Sequence, residues 1–429
     1  MNSEDRLVSP SAGQRLIAFA VLWLCGASLR LTILVIPPLL PHLHADLHLS
    51  ESEIGVLSSL PTLLFAIAAV PGALLIARFG IKSALILGLL LTAFAAAARG
   101  AIVNVTYLYA MTALMGAGVS IMQPALPPLV RTWFPHRIGL ATAVYTNGLL
   151  LGEVLAAALT IPLVLPLVGN SWRLSLMIWA IPVLLTALLV TFFAPKIAVN
   201  AKPEATRNTT ENTAKSTAKD AAKDAAWWPD WKQPLVWRLG LLFGSVNAMY
   251  FVANAFLPDY MTHAGRPDLI GSSLTAINLC QVPASFLMLA FAGRLVTRPS
   301  AYVATGTLSF LSIIGIICSK GIWIVFFAGL LGFANAITMI LALALPSVLS
   351  APHDVHRTAA GMFTISYSLA MALSVFTGFL WDKTHLPVTA FLPIAACALL
   401  VPLLASSVVR PGALDASKAA IKPSGAAGE

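Results

Sequence analysis

The chain has 429 residues, of which 58% are hydrophobic and only 10% are charged, and its mean hydropathy is +0.86. Soluble globular proteins carry about 25% charged residues, so this composition excludes that class and predicts an integral membrane protein. The net charge of +9 does not indicate a nucleic-acid-binding protein, because the basic residues lie in short loops between apolar stretches.

Apolar stretches of about 20 residues, long enough to cross a bilayer, recur along the whole chain. The first is interrupted by Arg30 and ends in prolines, which indicates a retained helix rather than a cleaved signal peptide. We predict an all-α membrane protein with twelve transmembrane helices, at roughly 14–38, 53–76, 83–100, 105–130, 138–164, 173–195, 235–260, 270–292, 299–318, 322–349, 358–381 and 387–409.

A polar interval divides the predicted helices into two groups of six. The sequence therefore predicts an N-terminal six-helix bundle, a cytoplasmic linker, a C-terminal six-helix bundle and a cytoplasmic tail, at 1–195, 196–232, 233–410 and 411–429. The positive-inside rule sets the orientation. If the N-terminus is cytoplasmic, twenty of the 26 Lys and Arg residues lie on the cytoplasmic side, so both termini are predicted to be cytoplasmic.

The linker combines basic residues with a cluster of tryptophans. Lys215, Lys219 and Lys223 recur every four residues and would form one stripe on a helix, and three tryptophans follow at 227, 228 and 231. Tryptophan is enriched at membrane interfaces, and basic residues are attracted to anionic headgroups. We interpret the linker as a partly helical segment that lies on the lipid bilayer.

The two groups of helices repeat one another. Leu-Pro pairs that end at Pro127 and Pro346 are 219 residues apart, and Arg78 and Arg298 are 220 residues apart. These offsets predict two parallel six-helix repeats, an arrangement typical of transporters whose halves rock about a central site.

Two charged residues are predicted to lie near the middle of the membrane. Intramembrane ionisable residues usually face a bundle interior or a water-filled path, and the planar guanidinium of Arg30 suits a small anion through two parallel hydrogen bonds. Glu153 has a similar predicted depth, so we expect it to pair with Arg30 while the site is empty and to take up a proton when an anion displaces it. The alternatives are that Arg30 ties helices together and that a neutral Glu153 is hydrogen-bonded in helix packing.

Polar residues on the predicted helices 4, 5, 7, 8 and 10 form a second candidate set. Each could contact substrate, or could only hydrogen-bond between helices. The candidate substrate-binding residues besides Arg30 are Gln123, Tyr145, Asn147, Asn247, Tyr250, Asn254, Asn278, Gln281 and Asn335.

Several segments resemble the major facilitator superfamily and, within it, the cyanate and nitroimidazole transporter group, often called the CynX/NimT family. The segments are "SLRLTILVIPPLLPHLHADLHLS", "GVLSSLP", "IMQPALPPLVRTWFPHRIGLATAVYTNGLLLG", "WRLSLMIWAIPVLL" and "NAMYFVANAFLPDY". The resemblance covers essentially the whole chain. It implies a twelve-helix transporter of small anions or nitro compounds, and it implies an anion-binding role for Arg30, because an arginine occupies this place in the family.

The chain departs from the superfamily pattern in the loop after the second predicted helix. The superfamily prefers an aspartate where this chain has Ala77, while Arg78, Gly80 and Lys82 are retained. The resemblance implies a conformational role for Arg78, Gly80 and, in the second half, Arg298, but any latch that depends on the aspartate is weakened. The fifth helix lacks the proline-glycine motif associated with antiporters, which favours uptake.

The sequence thus predicts a secondary active transporter that moves a small anionic or nitro-type solute by alternating access, coupled to protons in symport. The alternative is a proton-driven exporter of small drug-like compounds. The sequence contains no P-loop, so nucleotide-driven pumping is not expected. An enzyme is not expected either, because it would need several catalytic groups at one depth, and only Arg30 and Glu153 are charged at mid-membrane depth. We predict a monomer in the bacterial inner membrane, with a small-molecule substrate and protons as partners and no cofactor, metal or nucleic acid.

Overall fold

The computed structural model describes residues 12–48, 51–193 and 228–409, and the regular secondary structure of these residues consists of helices joined by turns and short loops. The lysine stripe of the linker and the predicted tail at 411–429 lie outside the described residues. The helices are α1 Ala12–Ser28, α2 Ile36–Leu47, α3 Glu51–Phe79, α4 Ile81–Ala98, α5 Val105–Trp133, α6 Ile138–Leu159, α7 Trp172–Phe193, α8 Pro234–His263, α9 Ile270–Leu279, α10 Gln281–Leu295, α11 Pro299–Cys318, α12 Ile322–Leu349, α13 Val355–Thr384 and α14 Leu392–Val408.

Eleven spans in the described part of the chain are long and apolar enough to cross a bilayer, while the apolar helix at Gly13–Ser28 is shorter. In one of the eleven, α6 continues through a π-turn at Thr160–Val164 to Leu167. In another, α9 and α10 follow one another with an interruption at Cys280. Because Pro283 has no amide hydrogen, the carbonyl of Leu279 lacks its helical donor, which accounts for this interruption.

The prediction of one continuous first helix over 14–38 is wrong. Residues 29–35 form turns between α1 and α2. The two prolines Pro37 and Pro38 remove the amide donors that a helix would direct to the carbonyls of Ile33 and Leu34. The amide of Ile36 bonds the carbonyl of Ile33 at 3.3 Å, three residues back.

Arg30 lies in this unwound segment, and Arg99, which directly follows α4, stabilises the segment. The amide of Ile36 would bond the carbonyl of Thr32 in a regular helix, but that carbonyl instead accepts a hydrogen bond from Nη2 of Arg99, at 2.7 Å. Thr32 is fully buried. Unwound backbone at membrane depth is tolerated where protein groups satisfy it, and Arg99 does this for Thr32.

The first half is held together by a close approach of α1 to α6. A Cβ atom added to Gly26 would lie 1.9 Å from the carbonyl oxygen of Tyr145, and one added to Gly148 would lie 2.1 Å from the carbonyl oxygen of Trp23. Only glycine permits these distances. The contact fixes α1, and with it Arg30, against the helix that contains Glu153.

The two halves of the described chain contact each other mainly through five pairs of helices. These pairs are α3 with α13, α6 with α10, α5 with α13, α6 with α12, and α5 with α12. At the C-terminal ends of α5 and α12, Nη1 of Arg131 donates to the carbonyl of Ser347 at 2.9 Å and also to the carbonyl of Ser350. The hydroxyl of Ser347 donates to the carbonyl of Pro127 at 2.8 Å. These bonds close the bundle at the end where α5 and α12 finish.

Candidate functional site

A cavity of about 510 Å³ lies between the two halves. Its wall is formed by the unwound segment after α1 and by residues of α2, α3, α5, α6, α8 and α9. At one end the wall includes Pro37 and Thr275, which are exposed. Five of the residues predicted from the sequence line this cavity, namely Arg30, Glu153, Tyr250, Asn254 and Asn278.

A second space of about 30 Å³ lies on the other side of Arg30. Three more predicted residues line it, Gln123, Tyr145 and Asn247. Gln123 and Asn247 are buried, and Nδ2 of Asn247 donates to the hydroxyl of Ser366 on α13 at 2.8 Å. Arg30 is therefore the residue that the two spaces have in common.

The guanidinium of Arg30 has no hydrogen-bond or ion-pair partner among the residues that the structure describes. Its side chain is half-buried and interacts electrostatically with Tyr367, Glu153 and Tyr250. The expected ion pair between Arg30 and Glu153 is absent from the described residues, so that expectation is wrong for this conformation. The reason is a nearer partner, since Oε1 of Glu153 lies 2.9 Å from the hydroxyl of Tyr250.

Glu153 belongs to a hydrogen-bond network that joins α6 to α8 and α9. The hydroxyl of Tyr250 lies 2.8 Å from Oδ1 of Asn278 as well as 2.9 Å from Glu153. Nδ2 of Asn278 donates to the carbonyl of Leu274 at 2.8 Å and to Oδ1 of Asn254 at 2.9 Å. Nδ2 of Asn254 donates to the carbonyl of Tyr250 at 2.9 Å. All four polar side chains of the network line the larger cavity.

Hydrogen bonds to the backbone carbonyls of Tyr250 and Leu274 fix the orientation of the side-chain amides of Asn254 and Asn278, respectively. A backbone carbonyl only accepts hydrogen bonds, so the group that Asn278 presents to Leu274 is its nitrogen. Its oxygen consequently faces Tyr250. The tyrosine hydroxyl has one hydrogen, yet two oxygens, those of Asn278 and Glu153, lie within bonding distance of it.

The three remaining predicted residues line neither space. Asn147 is buried between helices, where its oxygen accepts from Nε1 of Trp23 and its nitrogen donates to the hydroxyl of Ser285, both at 2.9 Å. Gln281 is buried and lies 3.5 Å from Asn278. Asn335 is buried, and its oxygen has no partner among the described residues. In this conformation their contacts are with other helices.

The residues predicted for the conformational loops lie at helix ends. Arg78 is in the last turn of α3, and Gly80 precedes α4 with a φ of 81°, a left-handed conformation that favours glycine. Arg298 directly precedes α11. Lys82 donates to the carbonyl of Thr191 at the end of α7, at 3.0 Å.

Two residues near Arg30 were missed by sequence reasoning. Tyr367 of α13 lines the smaller space, and its hydroxyl interacts with Gln123. Arg99 lines the larger cavity, although the sequence indicated only Arg30 and Glu153 as charged residues at membrane depth. A signal for Arg99 did exist, because it lies inside the apolar stretch predicted at 83–100 rather than after it.

Three bacterial transporters are similar to this chain in sequence. The uncharacterized transporter YycB of Bacillus subtilis is 23% identical over 365 residues, which are 83% of this chain and 85% of that protein. The 2-nitroimidazole transporter of Escherichia coli is 25% identical over 267 residues, or 62% of this chain and 63% of that protein. The cyanate transport protein CynX of E. coli is 26% identical over 274 residues, or 63% of this chain and 66% of that protein. The predicted resemblance to the CynX/NimT group is confirmed.

Solved structures of transporters share the fold. The proton:xylose symporter XylE, bound to 6-bromo-6-deoxy-D-glucose, has a TM-score of 0.72 at 13% identity, covering 94% of this chain and 97% of that one. The fucose:proton symporter FucP of E. coli has a TM-score of 0.71 at 17% identity, covering 92% and 99%.

The family model described as Major Facilitator Superfamily matches residues 22–412. This match covers most of the chain and includes every candidate site residue. With its apolar helices the chain is a multi-pass membrane protein, and it belongs to the Major Facilitator Superfamily.

Proposed function

We propose that this protein is a secondary active transporter that moves a small anion across the bacterial inner membrane together with a proton. The proposal depends above all on Arg30, whose guanidinium faces both spaces and has no partner among the described residues. A guanidinium near mid-membrane is costly unless an anion or a polar group compensates it. Arg30 therefore has free donors where a transported anion would pass.

The guanidinium of Arg30 suits a carboxylate or another planar anion that has two acceptor atoms. Its N–H groups form a rigid fork that matches a carboxylate through two parallel bonds. Tyr250 and Asn278 on the C-terminal half lie across the same cavity. An anion held between Arg30 and these residues would contact both halves, as transport by rocking halves requires.

The hydrogen-bond network supports proton coupling through Glu153. If Tyr250 donates its hydrogen to Asn278, the 2.9 Å contact with Glu153 is a hydrogen bond only when Glu153 is protonated and donates to Tyr250. If Glu153 is ionised, Tyr250 donates to it, and Oδ1 of Asn278 retains only the nitrogen of Gln281 at 3.5 Å. The geometry thus accommodates both states of Glu153, because Tyr250 can donate to the ionised carboxylate or accept from the protonated one.

Proton binding at Glu153 would also favour the substrate. An ionised Glu153 would repel an anion at Arg30, because both residues line the same cavity. Protonation removes this repulsion. The anion and the proton would therefore enter together, in symport.

The closed end of the bundle is consistent with one state of an alternating-access cycle. The bonds of Arg131 close the end at which α5 and α12 finish, while the cavity extends to the other end. With twelve spanning helices in two parallel repeats and both termini in the cytoplasm, as the sequence predicts, the open end would face outward. We propose that a monomer performs this cycle.

Uptake of labelled cyanate, nitrite and acetate into proteoliposomes tests the proposal. Wild type should accumulate at least one of these anions, faster with an inward proton gradient, and Arg30→Gln should abolish the uptake. Arg15→Gln is the matched control, since Arg15 is exposed on the same helix α1. Uptake that survives in Arg30→Gln would make Arg30 a packing residue and favour an exporter of uncharged compounds instead.

A further inference from the structure

Arg99 places a second guanidinium in the wall of the larger cavity. It directly follows α4 and is 1% exposed. One of its nitrogens, Nη2, donates to the carbonyl of Thr32, but Nε and Nη1 are buried and have no hydrogen-bond partner among the described residues. Since an unsatisfied charged donor in a buried place is unfavourable, these two nitrogens point to a missing acceptor.

The charge of the cavity also points to a missing anion. Its charged lining residues within the described chain are Arg30, Arg99 and Glu153. Two guanidiniums and one carboxylate leave one positive charge when Glu153 is ionised and two when it is protonated. A monoanion cannot neutralise the cavity in the protonated state, whereas a dianion can.

The size of the cavity agrees with a ligand larger than a three-atom anion. At about 510 Å³, it falls within the range of about 300–1,000 Å³ that is usual for small-molecule sites. One water occupies about 30 Å³ of liquid, so a three-atom anion at Arg30 would leave most of the volume empty, including the part next to Arg99.

We infer that Arg99 forms a second anion subsite and that the preferred substrate is a small dianion with separated anionic groups, such as an α,ω-dicarboxylate. One carboxylate binds Arg30 and the other binds the free Nε and Nη1 of Arg99. The inference rests on the proposed function and specifies its substrate class. The bond from Arg99 to Thr32 adds a second consequence, because it connects this subsite directly to the unwound segment that contains Arg30.

Equilibrium binding of succinate and of monomethyl succinate to the purified wild type tests this directly. The two compounds have nearly the same length but differ by one negative charge. Succinate should bind at least about tenfold more tightly, because a charge-assisted bidentate contact is lost in the ester. Equal affinity would overturn the inference without any need for a variant.

Variants separate a binding role of Arg99 from a purely structural one. Arg99→Gln should lower the affinity for succinate at least about tenfold more than the affinity for the monoester, because any loosening of the segment around Thr32 affects both ligands alike. Arg99→Lys should give an intermediate result. Arg173→Gln is the matched control, since Arg173 bonds the carbonyls of Gly100 and Ala101 beside Arg99 but does not line the cavity.

Equal losses for both ligands in Arg99→Gln would overturn the inference, because they would make Arg99 a positioning residue for the unwound segment. Binding of cyanate or acetate that requires Arg30, together with no binding of succinate, would also overturn it and would leave the proposed function intact. Failure of all these anions to bind would instead contradict the proposed function.

Discussion

Replacing Tyr250 with phenylalanine removes the one hydroxyl that joins Glu153 on the N-terminal half to Asn278 on the C-terminal half. A protonated Glu153 then loses its acceptor and Asn278 loses its donor. Leaving a buried polar group unsatisfied costs about 1–3 kcal/mol, and these half-buried groups border a cavity, so the lower limit applies to each. The two together give about 2 kcal/mol, or about a 30-fold shift in the equilibrium away from this conformation.

Thermal unfolding of the detergent-solubilised protein and proton-stimulated uptake measure the effect. Tyr250→Phe should unfold a few degrees lower than wild type and should lose most of the stimulation by an inward proton gradient. Tyr107→Phe is the control, since Tyr107 lies in the first turn of α5 and its hydroxyl has no partner among the described residues. If both variants unfold and transport alike, the network does not couple the halves.

Three further perturbations test separate parts of the structure. Glu153→Gln keeps a donor toward Tyr250 but cannot be ionised. Uptake by this variant should therefore persist down an anion gradient and become independent of pH. Uptake that still accelerates in acid would exclude Glu153 as the coupling residue. Gly26→Ala would force a Cβ atom against the backbone of α6 and should lower the free energy of unfolding by about 1–3 kcal/mol. Gly271→Ala is the control, because Gly271 has open space around it and the substitution should cost nothing by this mechanism. Equal losses in the two variants would refute the packing argument. Arg131→Gln should increase hydrogen exchange in the last turn of α12, and unchanged exchange would show that Arg131 does not hold that end closed.

The sequence was sufficient for the eleven apolar spans of the described chain and for a position of Arg30 inside the bundle, because each depends on local composition. Apolar stretches of spanning length predict helices whatever they pack against. A lone arginine inside such a stretch predicts a functional position, because placing its charge in the bilayer is energetically unfavourable in any fold. The family resemblance rests on the same local segments. The twelfth span, the membrane orientation and the repeat relation of the two halves stay predictions.

The break in the first helix depends on tertiary contacts that the sequence does not display. Pro37 and Pro38 alone suggest a kink, but the unwinding also needs a donor for the carbonyl of Thr32. That donor, Arg99, is 67 residues away in the chain. A charged residue at the end of an apolar stretch has the same local pattern whether it enters the bundle or faces solvent, so the sequence alone does not place Arg99 in the cavity wall.

The sequence also could not show which hydrogen-bond partner each buried polar side chain has. Arg30 and Glu153 have opposite charges and similar predicted depth, yet the hydroxyl of Tyr250 is the group that reaches Glu153. In the same way, Asn147 and Asn278 are both amides within apolar helices, but Asn147 bonds Trp23 and Ser285, while Asn278 lines the cavity. The rotation of each helix about its axis decides between these outcomes.

Substrate-driven proton movement is the most direct test of the central claim. Proteoliposomes with a trapped pH-sensitive dye and no imposed proton gradient would receive an inward gradient of the anion that wild type transports. The lumen should become acidic with wild type and with Arg15→Gln, but not with Arg30→Gln, and Glu153→Gln should admit labelled anion without acidification. Anion entry into wild-type vesicles with no change in internal pH would contradict symport, and acidification that persists in Glu153→Gln would place the proton on another residue.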